Sequence, residues 1–256
     1  MSGTYADVDA SADPGQAVLA QETVDSWPQI RAYKAHTYAL LADHSPVLDL
    51  GCGPGLDLTE LGAGASVGLD ASRAMCAAAR RRGTVVNATG TRLPFADDCF
   101  GGVRADRVFQ HLEDPGAALA ELVRVCRPGG KVVLADPDQE TLSIIVPGIA
   151  QAMADRVKRL RRDVGYRNGR LVAALPAILT DLGLTEVTVD AFPLVLQRAD
   201  QAFGLAGWPR LWREEGAFSD DEIDAWERAT AEKPIVYSLL YLVVAATKDR
   251  GIKGPF

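Results

Sequence analysis

The stretch VLDLGCGPGLDL, residues 47–58, passes from four mostly apolar positions into three glycines set two apart. A brief apolar run ending in turn residues reads as a buried strand, Val47 to Leu50. Glycine admits positive φ and carries no Cβ, so Gly51, Gly53 and Gly55 predict a tight turn against which a ligand can lie. A helix opening after such a turn adds its N-terminal N–H groups and favours phosphate, carboxylate or ribose. A short one is expected over residues 57–61. The dinucleotide spacing GxGxxG is not met, because Leu56 and Leu58 follow Gly55, and no GK[ST] triphosphate signature is present.

Downstream, strands and helices alternate. SVGLD (66–70) reads as the second strand and Ser72 as the cap of the next helix, with Met75, Ala78 and Ala79 inward. TVVN (84–87) reads as the third strand and GGVRA from Gly101 as the fourth. Asp114-Pro115 places an N-cap before proline at the first helical position, and Leu119, Leu122, Val123 and Cys126 share one face. RPGG stops that helix before a fifth strand, KVVLAD (131–136). This order predicts a parallel sheet covered on both faces. Residues 139–182 read as mostly helical, TEVTVDAFPLVLQ (185–197) as a strand, 199–233 as helical and aromatic, and YSLLYLVVAAT (237–247) as the last strand. Ahead of the glycines, Val24, Trp27, Ile30, Tyr33, Tyr38 and Leu41 recur at helical spacing. Residues 1–15, small and acidic, read as a flexible arm. The expected organisation is that arm and a single domain over 16–256. Its core lies at about 45–137, with helical additions at about 16–44, 139–182 and 199–233.

The 256 residues carry 27 basic and 34 acidic side chains, a net charge of −7, which argues against a general nucleic-acid binder. Four cysteines without CxxC or metal-ligand spacing read as reduced thiols and predict no metal. The apolar run from Ile235 to Thr247 is too short to span a bilayer. No basic-then-apolar leader opens the chain. These features predict a soluble, cytoplasmic protein without a membrane partner.

VLDLGCGPG, GLDAS, LPFADDCF, HLEDP and ELVRVCRPGGKVVLADP stand in the order seen in class I S-adenosylmethionine-dependent methyltransferases. Over residues 45–137 the chain resembles that family, most closely the branch that methylates quinones and secondary metabolites. The resemblance implies an α/β fold: a Rossmann-like, seven-stranded, mostly parallel sheet flanked by helices, with N-terminal and late helical insertions as lids. It implies S-adenosylmethionine as cofactor and a small organic molecule as methyl acceptor, at oxygen, nitrogen or an activated carbon. Gly51, Cys52, Gly53 and Gly55 would lie against the methionine part of the cofactor, with Asp49 nearby. Asp70 would bind the ribose and Ala71 flank the adenine. Thr89, followed by Gly90, stands where the family often has an aspartate that accepts from the adenine amino group. Gly101 stands where it usually has another aspartate. The alternatives are a cofactor-holding module that serves as scaffold or cyclase, and a methyltransferase acting on RNA or protein.

Position along the chain leaves several roles open. Asp70 can accept both hydroxyls of a ribose, and Asp49 can orient the turn or meet a cation. Asp106 and Arg107 open the loop after the fourth strand and meet the methionine end or are ordinary loop charges. His111 is the candidate catalytic base, because imidazole titrates near neutrality; the other reading is a residue that shapes the cofactor pocket. Asp136 orients a base, touches substrate or caps the following loop. Arg31 pairs with the cofactor carboxylate or is a surface arginine, the favoured reading, and His36 and His44 read as solvent-exposed or capping groups. The basic segment Arg156 to Arg170 reads as a dock for an anionic partner or as a solvated helix face. Phe203, Trp208, Trp212, Phe218 and Trp226 read as walls of an apolar acceptor pocket, the favoured reading, or as anchors of the late insertion.

Overall fold

The computed structural model describes residues 8–10, 13–62 and 65–249. Seven strands form one sheet: β1 (Val47–Leu50), β2 (Ser66–Asp70), β3 (Thr84–Asn87), β4 (Phe100–Asp106), β5 (Cys126–Ile145), β6 (Thr185–Leu196) and β7 (Val236–Thr247). Their order is β3-β2-β1-β4-β5-β7-β6, parallel throughout except for β7, which is antiparallel to both neighbours. The helices are α1 (Pro14–Asp25), α2 (Pro28–Leu41), α3 (Arg73–Ala79), α4 (Pro115–Val125), α5 (Gln151–Asp163), α6 (Leu171–Asp181), α7 (Trp208–Leu211) and α8 (Asp220–Glu232). The expected α/β sheet, mostly parallel and helix-flanked, is the observed one.

Local chemistry accounts for these elements. The Asp114 carboxylate accepts from the Ala117 N–H at 2.8 Å, Pro115 opens α4, and Leu119, Leu122 and Val123 bury its stripe. Leu48, Val103 and Leu134 from the sheet meet that stripe together with Leu175 and Leu179 of α6. On the opposite face Ile30, Val133, Val157, Trp226 and Tyr241 join α2, α5 and α8 to the sheet. Burial on both faces makes the central strands apolar. Asp49 and Arg104 are exceptions, and they stand directly opposite one another in the β1–β4 register.

Several expectations are corrected. Residues 57–61 form turns rather than a helix. The expected helical stretch from 139 begins as a continuation of β5 to Ile145, paired with β7, before α5 starts. Of residues 1–15, read as an arm, 1–7 and 11–12 lie outside the described residues. Val8–Ala10 forms a 3-10 turn with Val8 buried, and α1 begins at Pro14. That turn is tied to α3: the Asp9 carboxylate accepts from Ser72 Oγ at 2.6 Å, Arg73 N at 2.8 Å and Ala74 N at 3.1 Å.

The aromatic residues of the late insertion face the core. Trp208, Trp212, Phe218 and Trp226 are buried, and the Trp226 and Trp208 indole N–H groups donate to Leu205 O and Phe203 O, each at 3.0 Å. Anchoring replaces the expected pocket wall, because a tryptophan here buries its rings and satisfies its one donor inside the same cluster. Gly101 also has a local cause. A Cβ there would lie 2.5 Å from the His44 carbonyl oxygen and 2.6 Å from that of Ser45, so no aspartate fits.

Candidate functional site

β1 is flanked by β2 on one side and β4 on the other, so the chain leaves it in both lateral directions and a crevice opens at the C-terminal ends of these strands. A cavity of about 480 Å³ occupies that position. Gly51, Gly53, Asp70, Ala71, Thr89 and Gly90 line it, and Gln21, Arg107 and His111 close its remaining side.

The three glycines of the turn all have positive φ, +67°, +53° and +78°, but they serve different ends. A Cβ on Gly51 would lie 2.4 Å from Val108 Cγ2, so the bare backbone lets the loop after β4 approach. Gly53 faces the cavity, where the nearest atom to a Cβ would be Gln21 Oε1 at 3.4 Å. Gly55 faces α3: its Cβ would meet Ala79 at 2.9 Å, so it is required by helix packing and not by the cavity. Cys52 is buried beneath the turn, its Sγ 2.7 Å from where a Cβ on Gly68 would stand.

Asp70 ends β2 at the cavity rim. One carboxylate oxygen accepts from Gly53 N at 2.9 Å and the other from Ser72 N at 2.8 Å. Each oxygen keeps a further lone pair for a ligand hydroxyl. Burial raises the Asp70 carboxyl, against the pull of those N–H donors. Asn87 Nδ2 donates to the carbonyls of Asp70 and Ala71, each at 2.9 Å, and fixes the rim on which Ala71 sits. Thr89 is exposed beside it, 3.5 Å from the Thr91 hydroxyl.

Asp49 and Asp106 lie behind the cavity wall, in a buried ion cluster that the glycine turn covers. Arg104, fully buried, donates to Asp49 at 2.8 Å, Asp57 at 3.0 Å and Thr37 Oγ1 at 3.0 Å, and its other terminal nitrogen is 3.3 Å from Asp106. Lys34 donates to Asp57 at 2.8 Å and lies 3.6 Å from Asp106, which also accepts from the Tyr33 hydroxyl at 2.9 Å. Burial pushes Asp49 up, with Arg104 opposing it. Burial would also raise Asp57, but Arg104 and Lys34 outweigh it and hold that carboxyl well below the usual range. Asp49 therefore meets a cation, as one of its two readings had it. Arg104 was legible as a signal that went unread: an arginine inside a strand covered on both faces requires a carboxylate opposite.

His111 ends a 3-10 turn, Phe109–His111, on the far side of the cavity. The turn is pinned by Asp136, which accepts from Phe109 N at 3.0 Å, and by Asn168 Nδ2, which donates to Phe109 O at 2.9 Å and Leu112 O at 2.8 Å. Asp136 thus does not cap a loop after its own position, where β5 continues, but holds the turn that carries His111. The imidazole lies 5.5 Å from the Tyr166 ring, centre to centre. Burial, Arg161 and Arg107, in that order, depress its pKa to about 4, so it is neutral at pH 7. Gln21 and the Val8–Asp9 turn, both lining the cavity, were not singled out from sequence, and nothing in their local pattern marks them.

Four arginines of the basic segment are paired locally. Arg156 pairs with Glu222, Arg162 and Arg170 share Glu140 and Asp163, and Arg167 meets Glu113 at 3.1 Å. Arg31 is exposed beside Asp25, and His36 bonds Asp190 at 3.0 Å, away from the cavity.

The methyltransferase-domain family matches residues 48–134. A 37.1 kDa transposon TN4556 protein of Streptomyces fradiae is 38% identical over 172 residues, which are 62% of this chain and 49% of that protein. The demethylmenaquinone methyltransferase of Mycolicibacterium paratuberculosis is 31% identical over 179 residues, 64% of this chain and 73% of its own length. Against these two relatives the chain thus spans about half of one and about three quarters of the other. The YcgJ protein of Bacillus subtilis superposes with a TM-score of 0.58 at 19% identity, covering 85% of this chain and all of that one, and so shares its fold. By the methyltransferase-domain match and the 31% identity to a methyltransferase of which it covers 73%, the chain belongs to the class I S-adenosylmethionine-dependent methyltransferases.

Proposed function

We propose that this chain binds S-adenosylmethionine in the cavity at the C-terminal ends of β1, β2 and β4 and transfers its methyl group to a small organic acceptor. The observation that carries the reading is the juxtaposition of bare main chain at Gly51 and Gly53 with the Asp70 carboxylate on one cavity wall. These residues fit the cofactor. The missing Cβ at Gly53 leaves a cradle, Asp70 has lone pairs left for the two ribose hydroxyls, and Ala71, Thr89 and Gly90 offer a small-residue rim to the adenine. Bound there, the cofactor supplies a methyl group that its sulfonium makes electrophilic.

What remains for the protein is to position the acceptor, exclude water and take up a proton where the acceptor carries one. His111, on its pinned turn at the cavity wall, is our candidate to receive that proton; its lowered pKa leaves the ring unprotonated at pH 7 and makes it a weak base. The reading extends to oxygen, nitrogen or activated carbon as the methylated atom. It further extends to a secondary metabolite as acceptor, in keeping with the demethylmenaquinone relative, and to work in the cytoplasm, in keeping with four free cysteines.

Calorimetric titration with S-adenosylhomocysteine tests it. Asp70→Ala removes a two-pronged hydroxyl contact and is expected to weaken binding ten- to a hundredfold, about 1.5–3 kcal/mol. Unchanged affinity would move the ribose elsewhere. Release of S-adenosylhomocysteine in the presence of a metabolite panel separates methyl transfer from a silent scaffold.

A further inference from the structure

Arg107 has a conformation and an environment that the buried cluster beneath it does not explain. It is a non-glycine residue at φ +59°, a strained region that persists where surrounding structure imposes it, and its N–H is locked to Ala135 O at 2.7 Å. The side chain is thereby directed to the cavity wall beside Gly51 and Gly53. Among the described residues its Nε, which is buried, has no hydrogen-bond partner. The nearest carboxylate, Asp106, is 3.8 Å away and already accepts from Tyr33 while lying within ion-pair reach of Arg104 and Lys34. Among the described residues, the one acceptor that the guanidinium does reach is Gln21 Oε1, at a long 3.5 Å. That same amide oxygen is the atom nearest to the vacant Cβ position of Gly53.

Along the cavity the order is therefore Ala71, Asp70, Gly53, Gln21, Arg107. A neutral amide oxygen stands between bare main chain and a guanidinium whose fork is shaped for two oxygens. We propose that Arg107 receives the α-carboxylate at the amino-acid end of the cofactor, beside the Gln21 amide that stands between the guanidinium and Gly53. This rests on the cofactor reading above and assigns the end opposite the ribose. Arg167, the other arginine at the rim, is already paired with Glu113, and Arg31 points outward beside Asp25.

The test compares two ligands that differ only in this group, S-adenosylmethionine and its decarboxylated analogue, by calorimetry on the full chain. The native protein is expected to prefer S-adenosylmethionine tenfold or more. Arg107→Gln should bring the two within about twofold by weakening S-adenosylmethionine alone, since a neutral side chain lacks the charge-assisted fork. Arg107→Lys keeps the charge beside Asp106 and covers the case in which the glutamine variant does not fold; there the preference should fall severalfold without vanishing. A native protein that binds both ligands equally, or variants that keep the full preference, overturn the assignment of Arg107 while leaving the cofactor reading intact. Failure of the native protein to bind either ligand overturns both.

Discussion

His111 and Asp136 show how much of a residue's chemistry is set by its neighbours. Free imidazole would be half protonated near pH 6.5, but burial with Arg161 and Arg107 nearby favours the neutral ring and brings the value to about 4. The sign follows directly: each nearby positive charge penalises imidazolium, so removing one raises the pKa. In NMR titrations the His111 ring is expected to stay neutral from pH 7.5 down to about 5. Arg161→Gln should move its midpoint upward into that window. A midpoint near 6.5 in the native protein would show that burial and the two arginines do not hold the ring neutral. Asp136 is buried and its carboxyl is raised well above the usual range by burial and by Asp106, yet its accepting oxygen still fixes the turn that carries His111. Its observed role is to position that turn.

At the scale of elements, the β1–β4 seam depends on charge where the rest of the sheet depends on apolar contact. Asp49 and Arg104 pair across the register, and Arg104 also gathers Asp57 from the turn below. Arg104→Met leaves two carboxylates in the interior without their shared cation. It should cost about 3–5 kcal/mol in urea denaturation at pH 7. The deficit should shrink as the pH falls towards 5. Without arginine the Asp49 carboxyl is raised still further, and a raised carboxyl contributes stability below its unfolded pKa that is lost as pH rises through the folded one. An equal deficit at both pH values would show that packing rather than charge was lost. The same seam explains Gly101: the His44 and Ser45 carbonyls press so closely on β4 that any Cβ there would collide with main chain.

For the molecule as a whole, the two faces of the sheet divide the work. The C-terminal rim forms the cavity, and the late insertion is fastened to the sheet by a buried aromatic cluster. Trp226→Ala should therefore lower stability by about 3–5 kcal/mol while changing the dissociation constant of S-adenosylhomocysteine less than twofold. A stable variant with altered ligand affinity would return these aromatics to the pocket. Among the described residues no helix is long and apolar enough to cross a membrane.

The glycine turn, the rim aspartate and the alternation of strands and helices were legible because each is local. Positive φ, a strand's closing carboxylate and an N-cap before proline act within a few residues of chain. Which glycine faces the cavity and which faces a helix was not legible: Gly53 and Gly55 are two residues apart, and only the approach of Ala79 separates their roles. Nor could spacing show that Asp49 and Asp106 are absorbed by Arg104 and Lys34, whose partners lie tens of residues away in the chain. Sequence alone thus determined the class of fold and the cradle. The tertiary structure decided the buried ion cluster, the inward tryptophans and the closing of the cavity by Gln21 and Arg107, because long-range packing and desolvation choose the partner of each buried charge and ring.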